Sequence, residues 1–375
     1  MSAVNHTPPS FDAFRQEVSG SLAPPNVLSP HLPVWIFGAG QFGRDVCQVL
    51  IARGFDVAGF VETMPQRDTV NGLPLLAWGD LSHSQRQSQI AIGIYNRGMP
   101  LDELAALARS HGATQLFFPW DLYDQFEAEL GWRYWLCSQA LLTSNLDNIE
   151  RSFHRLADDN SQQCLLDICR FRLGLFDAFA SFTHSDAQYF NALTLGHLRG
   201  PALHYVDGGA YNGDTLLELQ ALHAVERAYL FEPDPANFDA LVRNTQSFVG
   251  TAQCLPLALS DRHQTLSFNA GSGEGAAISE QGSSHITAVA LDSIVGKQPV
   301  DFLKLDVEGA EVAALQGGQG VIRRSRPVMA LSLYHRPEDV WAIPDTIAAI
   351  ADGYDLYIRQ HFANSFDSVL YAVPR

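Results

Sequence analysis

Two short stretches carry the residues best suited to chemistry. Residues 206–215 read Val-Asp-Gly-Gly-Ala-Tyr-Asn-Gly-Asp-Thr, and residues 230–234 read Leu-Phe-Glu-Pro-Asp. Each is an apolar run ending in an acid. The first opens into a glycine-rich turn, which lets a ligand press against backbone amides and a helix N-terminus. The acid of the second, Glu232, follows the turn by about twenty residues and is placed to accept hydrogen bonds from ribose hydroxyls. The pair predicts a site for a nucleoside-bearing cofactor.

More polar residues follow the same rule. Apolar runs at 253–259, 302–305 and 328–333 lead into Ser260-Asp261, Asp306 and Tyr334-His335, with Glu308 just beyond Asp306. Ligands of open α/β sheets bind across the carboxyl ends of the strands. Turns favour Asp, so one such residue could be a turn former; five in register are harder to assign to turns. His335 is the candidate general base, because its intrinsic pKa lies near neutrality, although a lone histidine is more often a capped or core residue. Glu311 reads best as an acid favouring a helix N-terminus. His285 and His361 have no comparable setting.

These tips need strands to hold them. Runs at 34–37, 57–61, 90–94 and 115–118 alternate with helical patterns, the helix at 101–109 among them, and predict a small parallel sheet. Between 122 and 198 strand signals vanish; Ile149, Phe153 and Leu156 share one helical face, and Leu165, Ile168, Cys169 and Arg172 continue another. From 205 the alternation resumes and closes with strands at 356–359 and 368–373, expected as an antiparallel pair. The fold class is α/β, with a doubly wound C-terminal sheet and a smaller N-terminal sheet. The domains are a flexible tail at 1–30 with one short helix, a nucleotide-binding-type domain at 31–120, a helical connector at 121–200 and a cofactor domain at 201–375.

Composition narrows the partners. The chain has 375 residues and a net charge of −17, and its only lysines are Lys297 and Lys304. A nucleic-acid enzyme would show a basic stripe, so no nucleic acid is expected. Five cysteines without a Cys-x-x-Cys pair fit a reducing compartment. No basic-then-apolar leader opens the chain and no apolar run is long enough for a membrane span. A cytoplasmic location follows as the expectation, with the oligomeric state open, a homo-oligomer included.

The stretch 206–215, Phe-Glu-Pro-Asp-Pro-Ala-Asn-Phe at 231–238, Leu-Lys-Leu-Asp-Val-Glu-Gly-Ala-Glu at 303–311 and Tyr-His-Arg-Pro-Glu-Asp at 334–339 together resemble the FkbM family of S-adenosylmethionine-dependent methyltransferases; residues 287–293 also fit. The resemblance covers about the last half of the chain. It implies a class I methyltransferase-type sheet and O-methylation of a sugar, glycan precursor or related natural product. By position it implies that Gly208, Gly209, Ala210 and Gly213 hold the methionine end of the cofactor with Asp207 near its amino group. Glu232 would take the ribose hydroxyls, Asp261 the adenine edge, and Asp306 would sit beneath the transferred methyl group. His335 and Asp306 are then the expected catalytic residues, and Asp306, Glu308 and His335 the candidates should Mg²⁺ be required. Loops at 270–284 and 336–345 are expected to shape the acceptor pocket.

The N-terminal turn is a formal Gly-x-Gly-x-x-Gly, Gly38, Gly40 and Gly43, with Glu62 about twenty residues on. Its domain resembles the small nucleotide-sugar-binding domain of certain sugar O-acyltransferases, through Trp35 to Arg44, Asn71-Gly72-Leu73-Pro74 and Ala91-Ile92-Gly93. A nucleotide or nucleotide-sugar, NAD(P), or a purely structural role are the three readings. The alternatives to methyl transfer are a nicotinamide-dependent or nucleotide-sugar-modifying enzyme acting through this turn, and a non-catalytic nucleotide-binding protein.

Overall fold

The computed structural model describes residues 8–175, 183–268 and 284–375. The chain forms two compact units: Met1–Asp147, Gln163–His184 and Phe362–Phe366 in the first, and Asn148–Gln162, Ser185–His361 and Asp367–Arg375 in the second.

The first unit is built on β1 (Val34–Phe37), β2 (Val57–Glu62), β3 (Thr69–Val70), β4 (Leu73–Ala77), β5 (Gln89–Ile92) and β6 (Gln115–Phe117). They lie in the order β3-β4-β2-β1-β5-β6, parallel except for the β3–β4 hairpin. All four residues of β1 are buried, as a strand covered on both faces requires. The sheet has two strands more than the periodicity predicts. The pair escapes it because β3 is two residues long and β4 carries Pro74. Yet Asn71-Gly72, both at positive φ, is the strongest short hairpin signal a sequence offers. Residues 10–29 belong to the expected tail, and the short helix expected there around 11–18 is present as Phe11–Ser21, capped by Ser10. Its Phe11, Phe14 and Val18 are buried, and Asn26, Leu28 and Ser29 donate backbone hydrogen bonds to Asp121, Gln125 and Gln89.

The second unit holds β7 (Leu203–Gly208), β8 (Val225–Phe231), β9 (Thr251–Leu255), β10 (Ala258–Leu259), β11 (Gln264–Phe268), β12 (Ser284–Val289), β13 (Phe302–Leu305), β14 (Val328–Ser332), β15 (Tyr354–Gln360) and β16 (Ser368–Pro374). Seven of them form one sheet, β15-β16-β14-β13-β7-β8-β9. All run parallel except β16, which enters antiparallel between β14 and β15. This is the doubly wound sheet with a terminal hairpin that the sequence predicts. The chain winds from β7 to β8 on one side and returns through β13 on the other, so the carboxyl ends of β7, β8 and β13 border the switch point where such sheets bind ligands. Phe190, Tyr205 and Phe302 pack in the core beneath, with ring centroids 5.2–6.3 Å apart.

Two expectations change here. The run 253–259 is not one strand: β9 ends at Leu255, and β10 joins β12 and β11 in a separate three-stranded sheet. A break at Leu255-Pro256-Leu257 separates them, since proline cannot donate to a ladder. Residues 336–345 are not an open loop either, because the helix Asp339–Ile350 takes up most of them. The other predicted acceptor loop, 270–284, lies outside the described residues up to Ser284.

Candidate functional site

The glycine turn between β7 and the helix Asp214–Leu222 is built by interlocking with the next strand loop. Gly209 has φ +76°, and a Cβ there would lie 1.9 Å from the carbonyl oxygen of Asp306, so only glycine fits. The amides of Gly209 and Ala210 both donate to the carbonyl of Phe231, that of Gly213 to Ala210, and that of Tyr211 to Glu232 Oε2 at 2.9 Å. The turn was expected to offer amides to a ligand. Instead these four are consumed within the protein, which must satisfy its own buried donors. What the turn offers is close backbone approach.

Asp207 is fully buried. Its carboxylate accepts from Tyr205 Oη at 2.9 Å and from Lys304 Nζ at 2.9 Å. Lys304, on β13 and also buried, gives a second hydrogen bond to the carbonyl of Gly209 at 2.8 Å, and its ammonium lies 5.1 Å from the Tyr189 ring centroid. Burial pushes the Asp207 carboxyl up, against the pull of Lys304. Burial pushes the Lys304 ammonium down, but Asp207 and Asp306 outweigh it and hold it above its ordinary value. The pair is a salt bridge that clamps the turn onto β13. Asp207 thus faces inward, its carboxylate taken up by Tyr205 and Lys304.

Glu232 stands at the tip of β8. It accepts from the amides of Tyr211 and Asp234, the latter at 2.8 Å. Burial pushes its carboxyl up to about 7. A carboxylate offers about four lone-pair positions, and two are used. Asp234 caps the helix Pro235–Asn244 by accepting from Ala236 and Asn237. Asp261 follows β10, outside the seven-stranded sheet, and accepts from Ser260 and Arg262.

Past β13, Asp306 is held by hydroxyls. Ser332 donates to Oδ1 at 2.7 Å and Tyr334 at 3.2 Å, while Tyr189 donates to Oδ2 at 3.0 Å. Burial raises its carboxyl, yet Lys304, His335 and the hydroxyls outweigh that and hold it below the usual carboxylate value. Glu308 has φ +52°, a left-handed conformation that costs a non-glycine residue about 1–3 kcal/mol and clusters at functional sites. Burial pushes its carboxyl up to about 8.

His335 has no exposed surface. Its Nδ1 lies 2.7 Å from Glu311 Oε1, and its Nε2 is 3.5 Å from Asp306 Oδ1 and 3.8 Å from Glu308 Oε2. Burial lowers its pKa, but Glu311 and Glu308 overcome burial and raise it to about 10. The ring is therefore an imidazolium at neutral pH. Glu311 does start the helix Glu311–Gly317, but it also accepts from the amide of Val307 at 2.8 Å and pairs with His335. Asp339, close by in charge, is pushed by burial and by Glu311 up to about 8. Among the described residues no group of three or more His, Cys, Asp and Glu is arranged to hold a metal ion. The Asp306, Glu308 and His335 set is not among such groups; His335 holds Glu311 through Nδ1, with Asp306 and Glu308 3.5 and 3.8 Å from its Nε2.

Three residues of this site, Lys304, Ser332 and Tyr189, were not singled out from the sequence as site residues. Lys304 had a signal, being one of two lysines in the chain and set in an otherwise apolar strand. Ser332 lies just before the predicted tip Tyr334-His335. Tyr189 had none, lying 117 residues from its partner Asp306.

The first unit's turn behaves differently. Gly38, at φ +102°, and Gly43 are packing positions: a Cβ on Gly43 would lie 2.1 Å from the Gly38 carbonyl oxygen. Gly40 faces open space, and Glu62 accepts from the amide of Ala39 at 3.1 Å.

Residues 207–367 match the methyltransferase FkbM domain. No curated protein matches the chain. Among solved structures, a crystal structure of methyltransferase FkbM from Methylobacillus flagellatus is similar at 21% identity and a TM-score of 0.76, covering 96% of this chain and 98% of that one. At that identity the likeness speaks for the fold. No helix among the described residues is long and apolar enough to cross a membrane.

Proposed function

We propose that this chain, whose residues 207–367 match the methyltransferase FkbM domain, uses S-adenosylmethionine to methylate a hydroxyl oxygen of a sugar, glycan precursor or related natural product. The observation that carries this reading is Glu232. Its carboxylate sits at the tip of the strand beside the glycine turn, with two acceptor positions beyond the two that fix it, and a nucleoside's vicinal hydroxyls fit that capacity. Gly209 lets the turn pack directly against the Asp306 backbone, which brings the turn and that carboxylate together. Asp261 is the residue for the adenine edge.

When bound, the cofactor supplies an electrophilic methyl group on a sulfonium. The protein's task is to place the acceptor oxygen in line with it and to help remove a proton. Lys304 holds the turn in place through Gly209, and the three hydroxyls on Asp306 hold that carboxylate ionised at the strand tips. An anion there favours a neighbouring sulfonium electrostatically. His335, which carries its proton at neutral pH, serves in this reading to balance the carboxylates and position the loop. An acceptor of the glycan class fits the absence of a basic stripe.

Calorimetric titration with S-adenosylmethionine and S-adenosylhomocysteine tests the reading. Glu232→Ala should weaken both by about 100-fold, the equivalent of two hydrogen bonds to a charged group. Equal affinity in the variant refutes the assignment. For the first unit, a nucleotide, nucleotide-sugar or NAD(P) bound through Gly40 and Glu62 is a separate proposal, carried by the open space at Gly40. Titration with UDP-glucose and NADH checks it, and no heat from either leaves the turn as a packing device.

A further inference from the structure

We propose that Glu308 is the residue that takes the proton from the acceptor hydroxyl. This inference rests on the methyl-transfer reading and adds its missing base.

The site offers four ionisable candidates, and geometry separates them. His335 is fully buried, with Nδ1 held by Glu311. Asp306 has both oxygens already committed to hydroxyl donors. Glu232 is bound into the glycine turn by two amides. Glu308 differs from all three. Its side chain is 23% exposed and its carboxylate accepts no hydrogen bond among the described residues; Oε2 is buried 3.8 Å from His335 Nε2, so the oxygen left to meet an acceptor is Oε1. Its backbone is held at positive φ, as is that of Gly309 after it. The carbonyl of Gly309 is tied down by Arg336 Nε at 2.7 Å. A strained, anchored carboxylate with one oxygen turned to His335 and the other accepting no hydrogen bond, two residues beyond Asp306, is what a proton acceptor at this strand tip requires.

The step balances. The acceptor O–H proton passes to the Glu308 carboxylate, giving a carboxylic acid. The oxygen's electron pair forms the new bond to the methyl carbon. The carbon–sulfur bond breaks with its pair left on sulfur, so the sulfonium donor becomes a neutral thioether. One positive and one negative charge vanish together, which suits a buried site. The charged groups facing Glu308 are His335 from the loop after β14, Asp306 and Glu311 from its own loop and helix, Glu232 from the tip of β8, and Arg336 beside Gly309. Burial holds Glu308 largely protonated near pH 7, and an arriving sulfonium should ionise it.

Proton release on binding tests this without knowing the acceptor. Calorimetry at pH 7 in phosphate and in Tris counts the protons from the difference in buffer ionisation heat. S-adenosylmethionine should release between about 0.5 and 1 proton from the whole protein, and S-adenosylhomocysteine, which lacks the charge, markedly less. Glu308→Gln should bind S-adenosylhomocysteine within about 3-fold of the parent and lose the difference between the ligands. Glu308→Asp, which keeps a carboxylate, should retain it and replaces the first variant if that one does not fold. Equal release with both ligands in the parent protein, or an undiminished difference in Glu308→Gln, overturns the inference while leaving the cofactor reading intact. Failure of both ligands to bind overturns both.

Discussion

Replacing Lys304 by Met should produce a stability loss that depends strongly on pH. The ammonium and its partner Asp207 have side-chain exposures of 3% and 0%, so the variant strands a carboxylate in the core. Removing one partner of a buried pair typically costs about 3–5 kcal/mol. Asp207 can limit that cost by taking up a proton. Holding a proton at pH 7 against an ordinary carboxyl value of about 3.9 costs about 4 kcal/mol, at about 1.4 kcal/mol per unit. The expected loss is therefore about 4 kcal/mol at pH 7. An acid whose folded pKa is raised contributes stability at low pH and loses it as pH rises through the folded value, and Asp207 is already raised in the parent protein. At pH 4 the loss should shrink to about 1–2 kcal/mol, the share of the two hydrogen bonds that Lys304 gives up. Lys304→Met combined with Asp207→Asn should show that smaller loss at both pH values. Hydrogen exchange of peptides from β7 and β13, the strands the pair joins, reports the opening free energy of this unit directly. A loss below about 1 kcal/mol at pH 7, or one that does not change between pH 7 and pH 4, refutes the buried-pair account.

Three further outcomes follow from the geometry. Gly209→Ala should destabilise the second unit by more than about 2 kcal/mol and abolish S-adenosylhomocysteine binding, because its methyl would overlap the Asp306 carbonyl; a denaturant melt with calorimetry checks both. In the first unit Gly40→Ala should change stability by less than about 0.5 kcal/mol, whereas Gly43→Ala should cost several times more; similar urea midpoints for the two would contradict the packing role of Gly43. His335 is raised to about 10, so its contribution is complete below its ordinary value near 6.5 and fades as pH climbs through 10. The urea midpoint should fall between pH 7 and pH 10, and fall less in His335→Gln.

The parts of this protein legible in its sequence are those set by local rules. Continuous apolar runs such as 34–37 read as strands covered on both faces. A glycine turn followed by Glu232 could be read because the distance between them is the length of one helix and one strand. The Asn71-Gly72 hairpin was equally legible by its turn chemistry and passed over. The split of 253–259 was less so: one proline marks a break, but only the pairing of β10 with β12 shows that the two pieces serve different sheets.

What the tertiary structure decided is the state and partner of each site residue. By type and place His335 is a base near neutrality; surrounded by Glu311, Glu308 and Asp306 it is a buried cation. By motif Asp207 faces a ligand; in the fold it faces Lys304. Tyr189 reaches Asp306 across 117 residues of chain, a distance no periodicity records. Residue types and spacing determine which strands form and which acids stand at their tips, because those depend on neighbours along the chain. Protonation, and the hydrogen bonds that set it, depend on neighbours in space, and these exist only once β13 lies between β7 and β14.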